Sequence, residues 1–268
     1  MDIIIILGYA AAILIGVSLG LIGGGGSILT VPVLVYILHI DPVLATAYSL
    51  FVVGTTSLVG AGNYMKSGLV DYKTAVVFAI PSFIAVFLTR KFLVPWLPDP
   101  LFSMGGIEIS KSVGIMVFFA LIMLAASYSM IKEKKKSGED ENGEVKFNIP
   151  LIALEGSIVG MITGIVGAGG GFLIIPALVL LARLPMKLAV GTSLLIIAAK
   201  SLIGFLGDIS TQTIDWQMLL IFTGLSVVGI FIGSALSKKI NDKALKKGFG
   251  WFVLVMGIYI IGKELLNL

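Results

Sequence analysis

Hydrophobic positions fall into ten apolar stretches separated by short polar or glycine-rich breaks. In the first half they cover about 3–22, 27–38, 43–62, 74–94 and 111–131, and in the second about 149–166, 171–182, 187–206, 216–236 and 248–265. Eight approach the ~20 residues that an α-helix needs to cross a hydrocarbon core. The second stretch of each half is short, follows a glycine run and contains a proline, Pro32 or Pro176. The pattern predicts an all-α integral membrane protein with eight long transmembrane helices and two short broken ones. The chain opens Met1-Asp2 and runs straight into apolar sequence, without the basic region and small-residue cleavage site of a signal peptide. The first stretch is therefore read as a retained membrane segment.

Between the halves, Lys132 to Lys146 reads KEKKKSGEDENGEVK, a solvated linker. It divides the chain into a first membrane repeat (1–131), a charged linker (132–148) and a second membrane repeat (149–268). A shift of 144 residues aligns the halves without a gap. Gly20, Gly23, Gly25 and Gly26 then fall on Gly164, Gly167, Gly169 and Gly170, and Pro32 falls on Pro176. Ala45 falls on Ala189, Ser49 on Ser193, Ser57 on Ser201, Gly60 on Gly204 and Asp71 on Asp215. Two unrelated apolar helices share leucines and valines by chance, but not this set in register.

Composition agrees with the pattern. Hydrophobic residues make up 57% of the chain, charged residues only 13%, and mean hydropathy is +1.08; a soluble domain is roughly 45–50% apolar and 25% charged. There is no cysteine and one histidine, His39, which removes thiol chemistry and His/Cys metal sites. No cofactor and no metal are expected. The net charge of +4 comes from lysines gathered in loops, as topology demands of a membrane protein, and is no sign of nucleic-acid binding.

Those lysines set an orientation. Cytoplasmic loops collect Lys and Arg. The linker, with Lys132, Lys134, Lys135 and Lys136, and the 237–247 loop, with Lys238, Lys239, Lys243, Lys246 and Lys247, are expected inside. The 207–215 loop has no basic residue and is expected outside, whereas its repeat mate, 63–73, carries Lys66 and Lys73 and is expected inside. Equivalent loops on opposite faces mean an inverted repeat of two five-segment halves in the cell membrane, with both termini outside. Eight spans with two re-entrant hairpins is the alternative. Trp96, Trp216 and Trp251 suit interfacial aromatic belts.

The first candidate site is the pair of glycine runs, GLIGGGGS from Gly20 and GIVGAGGG from Gly164. Glycine costs about 1 kcal/mol against alanine in a helix, so these runs should break it. Broken backbone at membrane depth survives only when buried in protein or lining a watery cavity. The short helices that follow offer free N–H groups and the positive end of the helix dipole, a ready anion site. Paired broken helices at matching positions point to a transporter's binding site. Gly23, Gly24, Gly25, Gly26, Ser27, Gly167, Gly169, Gly170 and Gly171 are therefore candidate substrate-binding residues. Close helix packing is the competing role of such glycines, and Gly16 and Gly160 are assigned to it.

The third helix of each half adds hydroxyls: Tyr48, Ser49, Thr55, Thr56 and Ser57 on one, Thr192, Ser193 and Ser201 on the other. Ser49 and Ser193 match across the repeat and join the candidates, although Ser and Thr often bond their own helix carbonyls. Lys200 lies inside an apolar helix, where a charge is functional by default; it either meets an anionic substrate or snorkels to the interface. Its repeat mate is Thr56. Glu155 is the candidate for a coupling proton, or else pairs with linker lysines near the surface. Asp71 and Asp215 precede helices and are read as N-caps.

With these residues in view, the chain resembles the TauE/SafE family of sulfite and sulfonate exporters, also called the 4-toluene sulfonate uptake permease family. The resemblance rests on GLIGGGGSILTVPVL, its echo GIVGAGGGFLIIPAL, and the ATAYSL and AVGTSL that follow. It implies transport of sulfite, sulfonate, sulfoacetate or a similar small anion, with turns 23–27 and 167–171 lining the pathway, and the broken-helix inverted repeat favours secondary active transport by alternating access with the anion at the paired helix N-termini near the midplane. The partners expected are that anion and the lipid bilayer, with homo-oligomers left open. An integral membrane enzyme is disfavoured, since no HExxH, cysteine or serine–histidine pairing stands in the sequence. A passive anion channel is the closer alternative.

Overall fold

A computed structural model describes residues 3–104, 107–132, 149–166, 170–180, 182, 184–209 and 212–266. The described residues are helical almost throughout. Helix α1 spans Ile3–Ile22. Helix α2 spans Gly25–Pro32 and runs on through a π turn, Val33–Ile37. Then come α3 (Pro42–Lys66) and α4 (Tyr72–Leu88), the latter continued by a second π turn, Thr89–Leu93, and a last turn at Val94–Trp96. The strands β1 (Phe102–Met104) and β2 (Ile107–Ile109) form a small antiparallel hairpin ahead of α5 (Lys111–Ile131). The second half holds α6 (Ile149–Val166), α7 (Gly171–Leu180), α8 (Met186–Leu206), α9 (Trp216–Ser237) and α10 (Asp242–Leu266).

Every apolar stretch became a helix, and α2 and α7 are the short ones. Seven of the described helices are long and apolar enough to cross a membrane; the remaining long stretch forms α6, apolar over Pro150–Val166 and shorter than those seven. Large apolar side chains cover the outside as well as the core, and the interior admits polar ones. Exposed positions include Leu14, Ile84, Phe231 and Val255, while the interior holds Ser27, Thr30, Thr163 and Lys200. That is the arrangement hydrocarbon selects, since lipid accepts apolar side chains and hydroxyls must find partners between helices. This is a multi-pass membrane protein.

The halves interlock. Helix α1 packs along α9, and α6 packs along α4. A Cβ on Gly16 would run into the carbonyl of Ser226, and one on its mate Gly160 into the carbonyl of Ser82, itself the mate of Ser226. These contacts are the close backbone approach that small residues allow. Helices α3 and α8 pack against each other and run antiparallel, Gly54 lying on Leu202 and Gly204 on Leu50. Helices α5 and α10 do the same, Gly257 lying on Met123 and Gly250 on Met130. The α3/α8 pair is the centre: 67% of the α3 span and 72% of the α8 span are buried, against 28–44% for the other five.

The helix starts behave as their residues require. Asp71 Oδ1 accepts from Thr74 N (3.0 Å) and Asp215 Oδ1 from Met218 N (3.1 Å), which satisfies first-turn amides of α4 and α9. Both aspartates also tie the halves together. Asp71 N donates to Thr192 Oγ1 (2.9 Å) and Asp215 N to Tyr48 Oη (2.7 Å). Thr192 and Tyr48 are repeat mates, so one cross-link is made twice.

Candidate functional site

The two glycine runs meet at the centre of the fold. Helix α1 stops after Ile22 because Gly23 turns to φ +76°, and α7 is preceded by Gly170 at φ +68°. Both angles lie where an L side chain is strained and glycine is not. Gly24 caps α2 with no side chain supplying the cap, so first-turn N–H groups there have no side-chain acceptor. A Cβ on Gly171, the first residue of α7, would stand 2.5 Å from Gly24 Cα and 3.3 Å from the Gly23 carbonyl oxygen. The beginnings of α2 and α7 thus touch, and their positive ends share one region.

Each run leans on the central helix α8. A Cβ at Gly23 would stand 2.8 Å from Ser193 Oγ, which donates to its own helix at the Val190 carbonyl (2.8 Å). A Cβ at Gly170 would collide with Lys200 Nζ and with Thr163 Cγ2. Lys200 is 1% exposed, so it does not snorkel. Its ammonium donates to Thr163 Oγ1 (3.1 Å), which is on α6. No carboxylate among the described residues stands at ion-pair distance from it. Six buried hydroxyls among the described residues have no hydrogen-bond partner: Ser49, Thr56, Ser57 and Ser201 on the α3/α8 pair, Ser82 on α4 and Ser234 on α9. Buried polar groups normally find a partner. The chemistry on offer is a cation, several neutral donors and helix N-termini, the features that hold an oxyanion.

The sequence-derived candidates divide by position. Gly23, Gly24, Gly170, Gly171, Ser193 and Lys200 come together. Gly25 opens α2 beside them. Gly26 faces α1, where a Cβ would run into the Ile15 carbonyl and the Leu19 side chain, so its place is one of helix packing. Ser27 Oγ donates to the Gly24 carbonyl (2.6 Å), which ties the turn to itself. Ser49 is fully buried on α3. Glu155 is half-buried on α6, two turns before Thr163. Gly167 and Gly169 lie outside the described residues.

Two stations went unnoticed in the sequence. Arg90, in the π turn of α4, is 1% exposed and donates from Nε (2.9 Å) and Nη2 (2.7 Å) to Asp208 Oδ2. Its Nη1 donates to Thr46 Oγ1 (2.9 Å) and to the Gly164 carbonyl (3.4 Å). Burial holds the Asp208 carboxyl above its ordinary value, and the guanidinium beside it offsets only part of that rise. The second station uses Tyr64, whose Oη donates to the Gly20 carbonyl (2.9 Å) and shares a hydrogen bond with Ser237 Oγ (2.7 Å). Gly20 and Gly164 are repeat mates, and so are Tyr64 and Asp208. The 144-residue register was the available signal: Tyr64 falls on Asp208, and Arg90 on Ser234.

The chain is similar to known proteins over nearly its whole length. The family model described as "Sulfite exporter TauE/SafE" matches residues 8–260. A "Probable membrane transporter protein" of Xylella fastidiosa is 27% identical over 255 residues, covering 94% of this chain and 92% of its own. The "Probable membrane transporter protein YunE" of Bacillus subtilis is 28% identical over 284 residues, covering 97% and 94%. A "Probable membrane transporter protein MJ0441" of Methanocaldococcus jannaschii is 33% identical over 118 residues, covering 42% of this chain and 44% of its own. No solved structure matches.

Proposed function

The chain belongs to the TauE/SafE family and is a membrane transporter, and from that premise we propose that it carries a small oxyanion bound where its two glycine breaks meet. The observation that carries the reading is Lys200: a buried ammonium, paired with no carboxylate among the described residues, set against Gly170 at the junction of the broken helices. An intramembrane charge is costly to keep, and an anionic ligand is the partner that justifies it. The unpartnered hydroxyls of Ser49, Thr56, Ser57 and Ser201 supply further donors along α3 and α8. Sulfite, which the family's description names, and the sulfonates and sulfoacetate-like anions that the resemblance implies have the oxygens to use them.

The transport cycle we propose is alternating access by an inverted repeat of two five-segment halves. The antiparallel packing of α3 on its mate α8, and of α5 on its mate α10, supports opposite orientation of the halves. With the lysine-rich 237–247 loop and the linker inside, both termini lie outside and α8 runs from the inner face to the outer. Glu155 is the proposed coupling group. The experiment is counterflow in proteoliposomes. Vesicles preloaded with unlabelled sulfite are expected to accumulate labelled sulfite transiently above its external concentration. Simple equilibration without overshoot would indicate a channel and refute alternating access.

A further inference from the structure

The two stations that hold the glycine carbonyls do the same structural task with different charges. Tyr64 Oη holds the carbonyl of Gly20 with help from a serine. At the repeat-equivalent place Arg90 donates to the carbonyl of Gly164 and is itself held by Asp208. Neutral hydroxyls therefore suffice for the architecture. A buried ion pair is poor value for stability, since desolvating both charges costs as much as their attraction returns. The charges at Arg90 and Asp208 need another reason.

Their position supplies one. Lys200 is bonded to Thr163, and Arg90 to the very next residue of α6, Gly164. Asp208 stands just past the end of α8, about 12 Å beyond Lys200 at the helical rise. Toward the α8 C-terminus, the face we read as outer, Arg90 is the next buried basic residue among the described ones. The arginine is embedded: its side chain is 0% exposed, and it projects from a π turn, a feature common at functional sites. The aspartate sits on the turn that ends α8, and one of its oxygens receives both Nε and Nη2 of the guanidinium. This is the fork a substrate oxyanion would engage.

We infer that Arg90 is a second anion-binding residue of the route, and that Asp208 fills it here as a built-in carboxylate which the transported oxyanion displaces. The inference rests on the reading of this protein as an anion carrier. It makes the two states exclusive: either the carboxylate or the ligand holds the guanidinium, so the route is closed at Arg90 whenever no anion is passing.

The test is equilibrium binding to purified full-length protein, with folding followed by thermal melting. The probe is whichever of sulfite, thiosulfate, methanesulfonate and acetate binds wild type most tightly. Asp208→Asn is expected to tighten binding about threefold or more, because apparent affinity scales with the fraction of protein whose site is free. In the double variant Arg90→Gln/Asp208→Asn, which leaves no orphan charge, that gain is expected to vanish. The exchanged pair Arg90→Asp/Asp208→Arg keeps the ion pair but moves the cation onto the turn, and is expected to bind about fivefold more weakly than wild type or worse. Tightening that survives in the double variant, a folded Asp208→Asn that binds no better than wild type, or an exchanged pair that binds as wild type does, each overturns the inference. Wild type that binds none of the four anions would refute the carrier reading itself. Loss of binding in Lys200→Met beside an unchanged Asp208→Asn would leave that reading standing and remove only this one.

Discussion

Lys200→Met is expected to abolish measurable anion binding while raising the melting temperature of the protein. Methionine nearly matches the lysine in volume and keeps its packing beside Thr163 and Gly170. Removing the charge takes away the ligand's counter-ion, a loss of about 2–5 kcal/mol for a fully desolvated partner, or thirtyfold and more in affinity. The same change relieves the free protein of an ammonium that meets no carboxylate among the described residues, and replacement of a buried charge by a fitting apolar group is neutral or stabilising. Opposite signs in binding and stability separate a ligand-binding residue from a structural one. Binding titrations and thermal melts on one preparation check both. Full affinity in the variant would remove Lys200 from the site.

Gly170→Ala is expected to have the second-largest effect. The added methyl group forces a φ of +68° on an L residue, at a cost of about 1–3 kcal/mol. It also lands on Lys200 Nζ and on the Thr163 side chain. Both insults fall where the ammonium is positioned, so affinity should drop about tenfold or more. Gly62→Ala is the control. Gly62 lies in α3 with nothing within 4 Å of an added Cβ, and alanine there should stabilise the helix by about 1 kcal/mol and leave binding unchanged. Unchanged affinity in a folded Gly170→Ala would remove that glycine from the site.

The helices were legible in the sequence because membrane spans are written locally. Each is a run of apolar residues closed by a charge, a cap or a glycine, and ends such as Ile22, Ile131, Val166 and Leu206 fall where composition changes. The caps at Asp71 and Asp215 were legible for the same reason. The junction of the glycine runs followed from the repeat, because two equivalent breaks in interlocked halves have one place to meet.

What was illegible depends on partners far apart in the chain. Nothing in α1 states that it packs on α9 of the other half, since glycine contacts between helices carry no address. Lys200 was ambiguous because snorkelling and burial differ only in which way a flexible side chain turns, and that is decided by Thr163 and Gly170 on other segments. Gly26 could not be told from Gly24 by spacing, yet it faces α1. Arg90 and Asp208 each stand next to a loop, where a charge needs no explanation, and their pairing spans 118 positions. The hairpin of β1 and β2 escaped because three-residue strands leave no periodic signal.

The central claim is that the meeting point of the glycine breaks binds a small oxyanion. It is tested most directly by equilibrium binding to the purified protein of sulfite, thiosulfate, methanesulfonate and acetate, with tetramethylammonium as the cationic counterpart. The expected result is saturable binding of at least one anion, competition among the anions that bind, and no binding of the cation. Binding of the cation with none of the four anions bound would contradict the account.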